Sequence, residues 1–179
     1  MMIKKMLKII LLMIFIATMS NSVFAITEDE KLYLKEYCNE YGVNINIAYA
    51  IMFVENKDLE NDIINFNTDG SYDFGFFQIN SVHKEKLCKK LEVDNIIEPK
   101  NNIKAGVYLL KTCSDKVFVK GLPLDIKYIA AMYHKPKDLE AVINEDEDND
   151  TYVYSKKVEK NYIQITLNDI YRRTLYGQN

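Results

Sequence analysis

The chain has 179 residues, with 23 Lys and Arg against 26 Asp and Glu and a formal net charge of −3. Three of those basic residues, Lys4, Lys5 and Lys8, sit in an N-terminal leader, so the rest of the chain carries 20 basic against 26 acidic residues, a net charge near −6. That balance, without a basic patch interleaved with aromatics, argues against nucleic acid as a partner.

Residues 1–25 read as a secretory signal peptide: the three lysines form a positive n-region, Ile9 to Met19 is a short apolar core, and Val23-Phe24-Ala25 supplies small residues for cleavage near Ala25. The apolar run is eleven residues long, well short of the roughly 18 that suggest a spanning helix, so no stable membrane anchor is expected. Residues 26–179 are then a single domain with enough length for a real core. Export would put Cys38, Cys88 and Cys113 in an oxidising compartment. An odd count allows one internal bridge, and Cys88–Cys113 is the favoured pair because both lie at or near expected helix ends. Spacing supports neither a thiol nucleophile paired with His83 or His134 nor a zinc site.

Thr27-Glu28-Asp29-Glu30 is a capping box that opens a helix to about Tyr41, closed by Gly42. A second, apolar helix from Ile45 delivers Glu55, with Ala48, Ile51 and Met52 as a stripe at i, i+3, i+4. A carboxyl on that stripe meets desolvation and the negative end of the helix dipole, and both raise its pKa toward the range of a general acid. The competing reading is a helix-end glutamate turned out to water, the commoner fate of Glu.

A polar loop rich in Asn and Asp follows, then Asp69-Gly70 as a tight turn. From there Tyr72, Phe74, Phe76 and Gln78 alternate with Asp73, Gly75, Phe77 and Ile79, as in a strand. Two carboxylates on different elements, Glu55 and Asp73, form the pattern of glycoside-cleaving sites. Further on, Ser81 is expected to cap a helix to Leu91, and Pro99 to open another to about Cys113. Pro123 or Leu124 to Tyr133 reads as an apolar helix, and Thr151 starts a long one toward Leu175. The acidic run from Glu145 to Asp150 reads as a solvated loop, without the spacing of a calcium-binding EF-hand.

The segment Asn67 to Ser81 resembles the hairpin of lysozymes and of soluble-lytic-transglycosylase (SLT) domains, and Glu55 stands where those families carry their acid. Gly75-Phe76-Phe77-Gln78 resembles the transglycosylase motif Gly-Leu-Met-Gln, and Ile96 to Leu110 resembles the Pro, Asn-Ile, Gly and Tyr-Leu pattern that follows the hairpin. Ala131-Met132-Tyr133-His134-Lys135-Pro136 stands where the SLT family has Ala-Tyr-Asn-x-Gly; Tyr133 matches, while His134 replaces Asn and Pro136 replaces Gly. Tyr152-Val153 with Lys157-Val158 looks like the late Tyr-Val…Lys-Val segment, and Asn56 replaces the Ser that normally follows the catalytic Glu.

The resemblance implies a mainly helical, lysozyme-like α+β fold with a small hairpin beside a cleft. It implies a monomeric peptidoglycan lytic transglycosylase, associated with the cell wall, acting on glycan strands without metal or organic cofactor. Glu55 and Asp73 are the implied catalytic residues; Gln78, Tyr133, His134, Tyr152, Asn56 and Phe77 are the implied sugar contacts. A hydrolytic muramidase using Glu55 and Asp73, or a wall-binding protein without catalysis, are the alternatives. Wall turnover, a secretion or conjugation machine, and a phage remain open as settings.

Overall fold

The structure, a computed structural model, describes residues 26–176; the expected leader lies outside the described residues. The described residues form seven α-helices and one three-stranded sheet. The helices are α1 (Glu28–Tyr41), α2 (Ile45–Glu55), α3 (Lys84–Leu91), α4 (Pro99–Val119), α5 (Ile126–His134), α6 (Leu139–Ile143) and α7 (Asp150–Tyr176). Strands β1 (Ile64–Phe66), β2 (Tyr72–Phe74) and β3 (Ile79–Asn80) lie between α2 and α3 and pair antiparallel in sequence order. The mainly helical, lysozyme-like α+β expectation matches this architecture.

Local chemistry sets most of the helix ends. The Thr27 hydroxyl accepts from the Glu30 amide while Glu30 Oε2 accepts from the Thr27 amide, and Gly42 closes α1 at φ +66°. Both are the terminal groups a helix cannot satisfy internally. Pro99 occupies the first turn of α4. That helix runs to Val119 rather than Cys113, because Leu110, Cys113 and Val117 continue its buried stripe. The helix after the sheet is capped by Asn80, not Ser81: Asn80 Oδ1 accepts from the Val82 amide and a 3-10 turn, Ser81–His83, precedes α3. The Ser81 hydroxyl is used elsewhere, accepting from the Tyr72 amide. Asp125 caps α5, which therefore starts two to three residues later than expected.

The core is continuous. Leu34, Ala48, Ile51, Met52, Ile103, Val107, Leu110, Ala130 and Val158 are fully buried. α4 packs against α1 and α5, and α7 lies against α2 and α5. Thr151, Tyr154, Ser155 and Val158 form the buried face of α7, at i, i+3, i+4, i+7. Lys100 and Lys104 on α4 lie over the rings of Tyr33 and Tyr37 on α1.

Three expectations are corrected here. β1 lies within the stretch read as a polar loop; its three residues are all exposed, so no burial pattern marks it. The strand expected from Tyr72 to Ile79 is broken in two: Gly75 at φ +73° and Gln78 at φ +42° fold residues 75–78 into a turn between β2 and β3. Finally, the three thiols are free. Cys113 is not at a helix end but inside α4 and buried, while the Cys88 thiol points at the Asp94 carbonyl, so the Cys88–Cys113 bridge does not form.

Candidate active site

Glu55 is the last residue of α2, and its position follows from the helix that carries it. Ala48, Ile51 and Met52 are buried one and two turns before it, so the same face delivers its carboxyl against the domain interior. Burial is the main influence on that carboxyl and pushes its pKa up to about 7; the negative charge of Asp73 adds to the rise. A hydrogen bond from Tyr154 opposes it, since a donor to the carboxylate favours the charged form.

Tyr154 comes from the buried face of α7 and donates its hydroxyl to Glu55 Oε1. Its own pKa is held well above the ordinary tyrosine value, first by burial and then by the Glu55 charge, so it stays a donor at any working pH. Tyr152, expected as a sugar contact, lies two residues before it. Two residues along a helix is a turn of roughly 200°, so the two tyrosines face nearly opposite ways, and Tyr152 is a half-buried side chain packed beside the core. The buried stripe of α7 was the signal that could have found Tyr154.

The sheet brings Asp73 to the site. It faces Asn65 on β1 and Asn80 on β3 across the ladder, and its Oδ2 accepts from Asn67 Nδ2 at 3.1 Å. Gln78 ends the turn: its Nε2 donates to the Gly75 carbonyl at 2.8 Å and its Oε1 accepts from Asn65 at 2.6 Å. Two hydrogen-bonded pairs result: Asn65–Gln78 joins β1 to the turn, and Asn67–Asp73 joins the β1–β2 loop to β2.

The turn itself is held from α4. Asn102, completely buried, accepts from the Phe77 amide and donates to the carbonyls of Phe74 and Ile96. Tyr133 on α5 donates to the Phe77 carbonyl at 2.6 Å, and burial, then the charge of Glu55, holds its pKa well above the ordinary tyrosine value. His134, the next residue, lies flat on the Tyr154 ring.

Phe77 and Asn56 are corrected as sugar contacts. The Phe77 ring is fully buried, in the space that Gly106 leaves on α4. Asn56 is 3 % exposed, and its amide is engaged by the backbone of Glu60 and Gly75. It ties the loop after α2 to the turn that carries Gln78. Neither side chain has surface to offer a ligand. Among the described residues no group of three or more His, Cys, Asp or Glu is placed to hold a metal ion.

A helix-end carboxyl whose pKa is raised by burial and by the charge of a carboxylate on a small sheet suits glycoside cleavage. The model of the transglycosylase SLT domain matches residues 32–124. The chain belongs to the transglycosylase SLT family. Among curated proteins no relative matches it. The matched stretch of this SLT protein holds Glu55, Asp73, Gln78 and Asn102, whereas Tyr133, His134 and Tyr154 lie beyond it and reach the site through the fold. At the level of the family, the activity is lytic-transglycosylase-type cleavage of a glycosidic bond, with peptidoglycan as substrate.

Proposed function

We propose that this protein is a lytic transglycosylase that cleaves the β-1,4 bond between N-acetylmuramic acid and N-acetylglucosamine, with Glu55 as acid and then base. The observation that carries the reading is the Glu55 carboxyl itself, raised to about 7 and oriented by Tyr154. A group with that pKa can be protonated at the start of a reaction near neutral pH and still accept a proton back. The Tyr154 bond occupies Oε1, and Oε2 has no donor among the described residues, so Oε2 is the oxygen that exchanges the proton.

In the first step Glu55 gives its proton to the glycosidic oxygen as the C1–O bond breaks, and the bonding pair leaves on that oxygen as the hydroxyl of N-acetylglucosamine. The resulting oxocarbenium character at C1 of the muramic residue is stabilised by the two negative charges at hand, Glu55 and Asp73. Glu55 then removes the proton of the muramic C6 hydroxyl as O6 bonds to C1, giving a 1,6-anhydro end. No water is consumed and Glu55 returns to its protonated state. Gln78 and the Tyr133–Phe77 turn position the sugar.

A muramidase would need Asp73 as nucleophile or charge stabiliser on the other side of the sugar ring. Asp73 accepts a hydrogen bond from Asn67, which holds it in place for either role, so the products separate the two enzymes. A wall-binding protein would have no use for a carboxyl whose pKa is raised to about 7. Mass spectrometry of digested peptidoglycan separates the three: 1,6-anhydro-muropeptides are expected, reducing ends would mean a muramidase, and no product would mean a binding protein. The substrate lies outside the cytoplasmic membrane, and residues 1–25 would serve to deliver the chain there. N-terminal sequencing of protein from the wall fraction should begin at Ile26; an intact Met1 on cytosolic protein would contradict delivery.

A further inference from the structure

His134 ends α5, and its imidazole lies on the phenol of Tyr154 with ring centroids 4.3 Å apart and planes 8° from parallel. The far end of that phenol carries the hydroxyl that reaches Glu55. A tyrosine ring can swing about two side-chain torsions, and a flat neighbour stacked on one face removes much of that freedom. We propose that His134 is a positioning residue for Glu55: it stacks on Tyr154 and holds the phenol in the pose from which its hydroxyl orients the carboxyl.

The surroundings of His134 suit that task. Burial and the ammonium of Lys135 both hold its pKa below the ordinary value, while Asp150 and Asp138 pull the other way. Lys135 is itself paired with Asp150 at the start of α7, which pins the end of α5 to the helix that carries Tyr154. Near neutral pH the stacked ring is therefore uncharged. That matters, because an imidazolium at this spot would favour the Glu55 carboxylate and draw off the proton needed for the first step. A neutral flat ring positions the phenol without doing so.

The inference depends on Glu55 acting as the acid only for its consequence in catalysis; the stacking effect on the carboxyl can be read without turnover. The test is the carbon-13 carboxyl titration of Glu55, assigned by its loss in Glu55→Gln, measured in the parent, His134→Phe and His134→Leu. Phe keeps a flat face and has no titrating proton; Leu fills similar space without a flat face. His134→Phe should titrate with the parent. In His134→Leu the phenol's bond weakens, and because that bond lowers the pKa, the Glu55 titration should move up by about half a unit or more. The alkaline limb of the rate profile should move with it. A parent-like titration in His134→Leu, or a shift in His134→Phe as large as in His134→Leu, would overturn the proposal. Should thermal unfolding show that His134→Leu does not fold, His134→Met replaces it under the same criteria. A failure here would leave Glu55 as the acid, and an active Glu55→Gln would leave the stacking result standing.

Discussion

The Tyr154 hydroxyl on α7 and Glu55 Oε1 on α2 are 2.5 Å apart although 99 residues separate them in the chain. The bond runs from the last long helix to the end of the second, across a core they share with α5. It sets the carboxyl against two competing influences. Burial drives Glu55 toward its protonated form, and Tyr154 limits how far it goes.

Replacing Tyr154 by Phe removes the influence that lowers the pKa and leaves those that raise it. The Glu55 titration should rise further above about 7, carrying the alkaline limb of the wall-clearing rate upward by about one unit or less. A pH–rate profile of the variant checks this. A limb that moves down would mean that Tyr154 does not act through Glu55.

The same shift has a signature in stability. Glu55 binds its proton more readily in the folded chain, at about 7, than at its ordinary value of 4.5. Between those values the folded state holds more protons than the unfolded state, so stability falls as pH rises through that window. The loss amounts to at most about 3 kcal/mol. Glu55→Gln should lack the slope and be more stable than the parent above pH 7, with no such gain below 4.5. Denaturant unfolding at several pH values checks this; parallel curves for the two proteins would contradict a buried, proton-binding carboxyl.

Gly106 and Asn102 hold the turn that carries Gln78. A Cβ on Gly106 would lie 2.1 Å from the Phe77 ring, which is fully buried and has nowhere to move. Gly106→Ala should destabilise by about 1–3 kcal/mol, through overpacking. Asn102→Ala strands the Phe77 amide and two carbonyls and should cost roughly 2–4 kcal/mol. Thermal unfolding decides both, and near-parent stability in either variant would show that the turn is not held from α4.

Those two residues also show how far the sequence could be read. Signals that act within a few residues were legible: the Thr27–Glu30 capping box, Gly42, Pro99, the Asp69-Gly70 turn and the apolar face that delivers Glu55. Asn102 and Gly106 were legible as a pattern but not as a clamp, because their partners are the Phe74–Phe77 backbone and ring, about 25 residues upstream. Tyr154 was not singled out because only the face of α7 turned toward α2 distinguishes it from its neighbours. β1 was missed because three exposed residues leave no periodic trace, and its existence depends on pairing with β2.

The cysteines should be silent in catalysis. Burial raises the Cys38 and Cys113 thiols to about 12, so neither supplies a thiolate near neutral pH. Cys88 is half-buried and free. A maleimide reagent should label Cys88 in the folded protein, reach Cys38 and Cys113 only on unfolding, and leave the clearing rate within a few-fold. Mass mapping of labelled peptides and the rate of the labelled enzyme check this; loss of activity in folded, labelled protein would contradict it.

The central claim is that Glu55 gives and regains the proton, and Glu55→Gln tests it most directly by keeping the shape while removing the exchangeable acid. General acid–base catalysis contributes roughly 10²–10⁴-fold, so the rate of peptidoglycan clearing by folded Glu55→Gln should fall by at least about a hundredfold. Clearing at the parent rate would show that Glu55 is not the acid and would contradict the account.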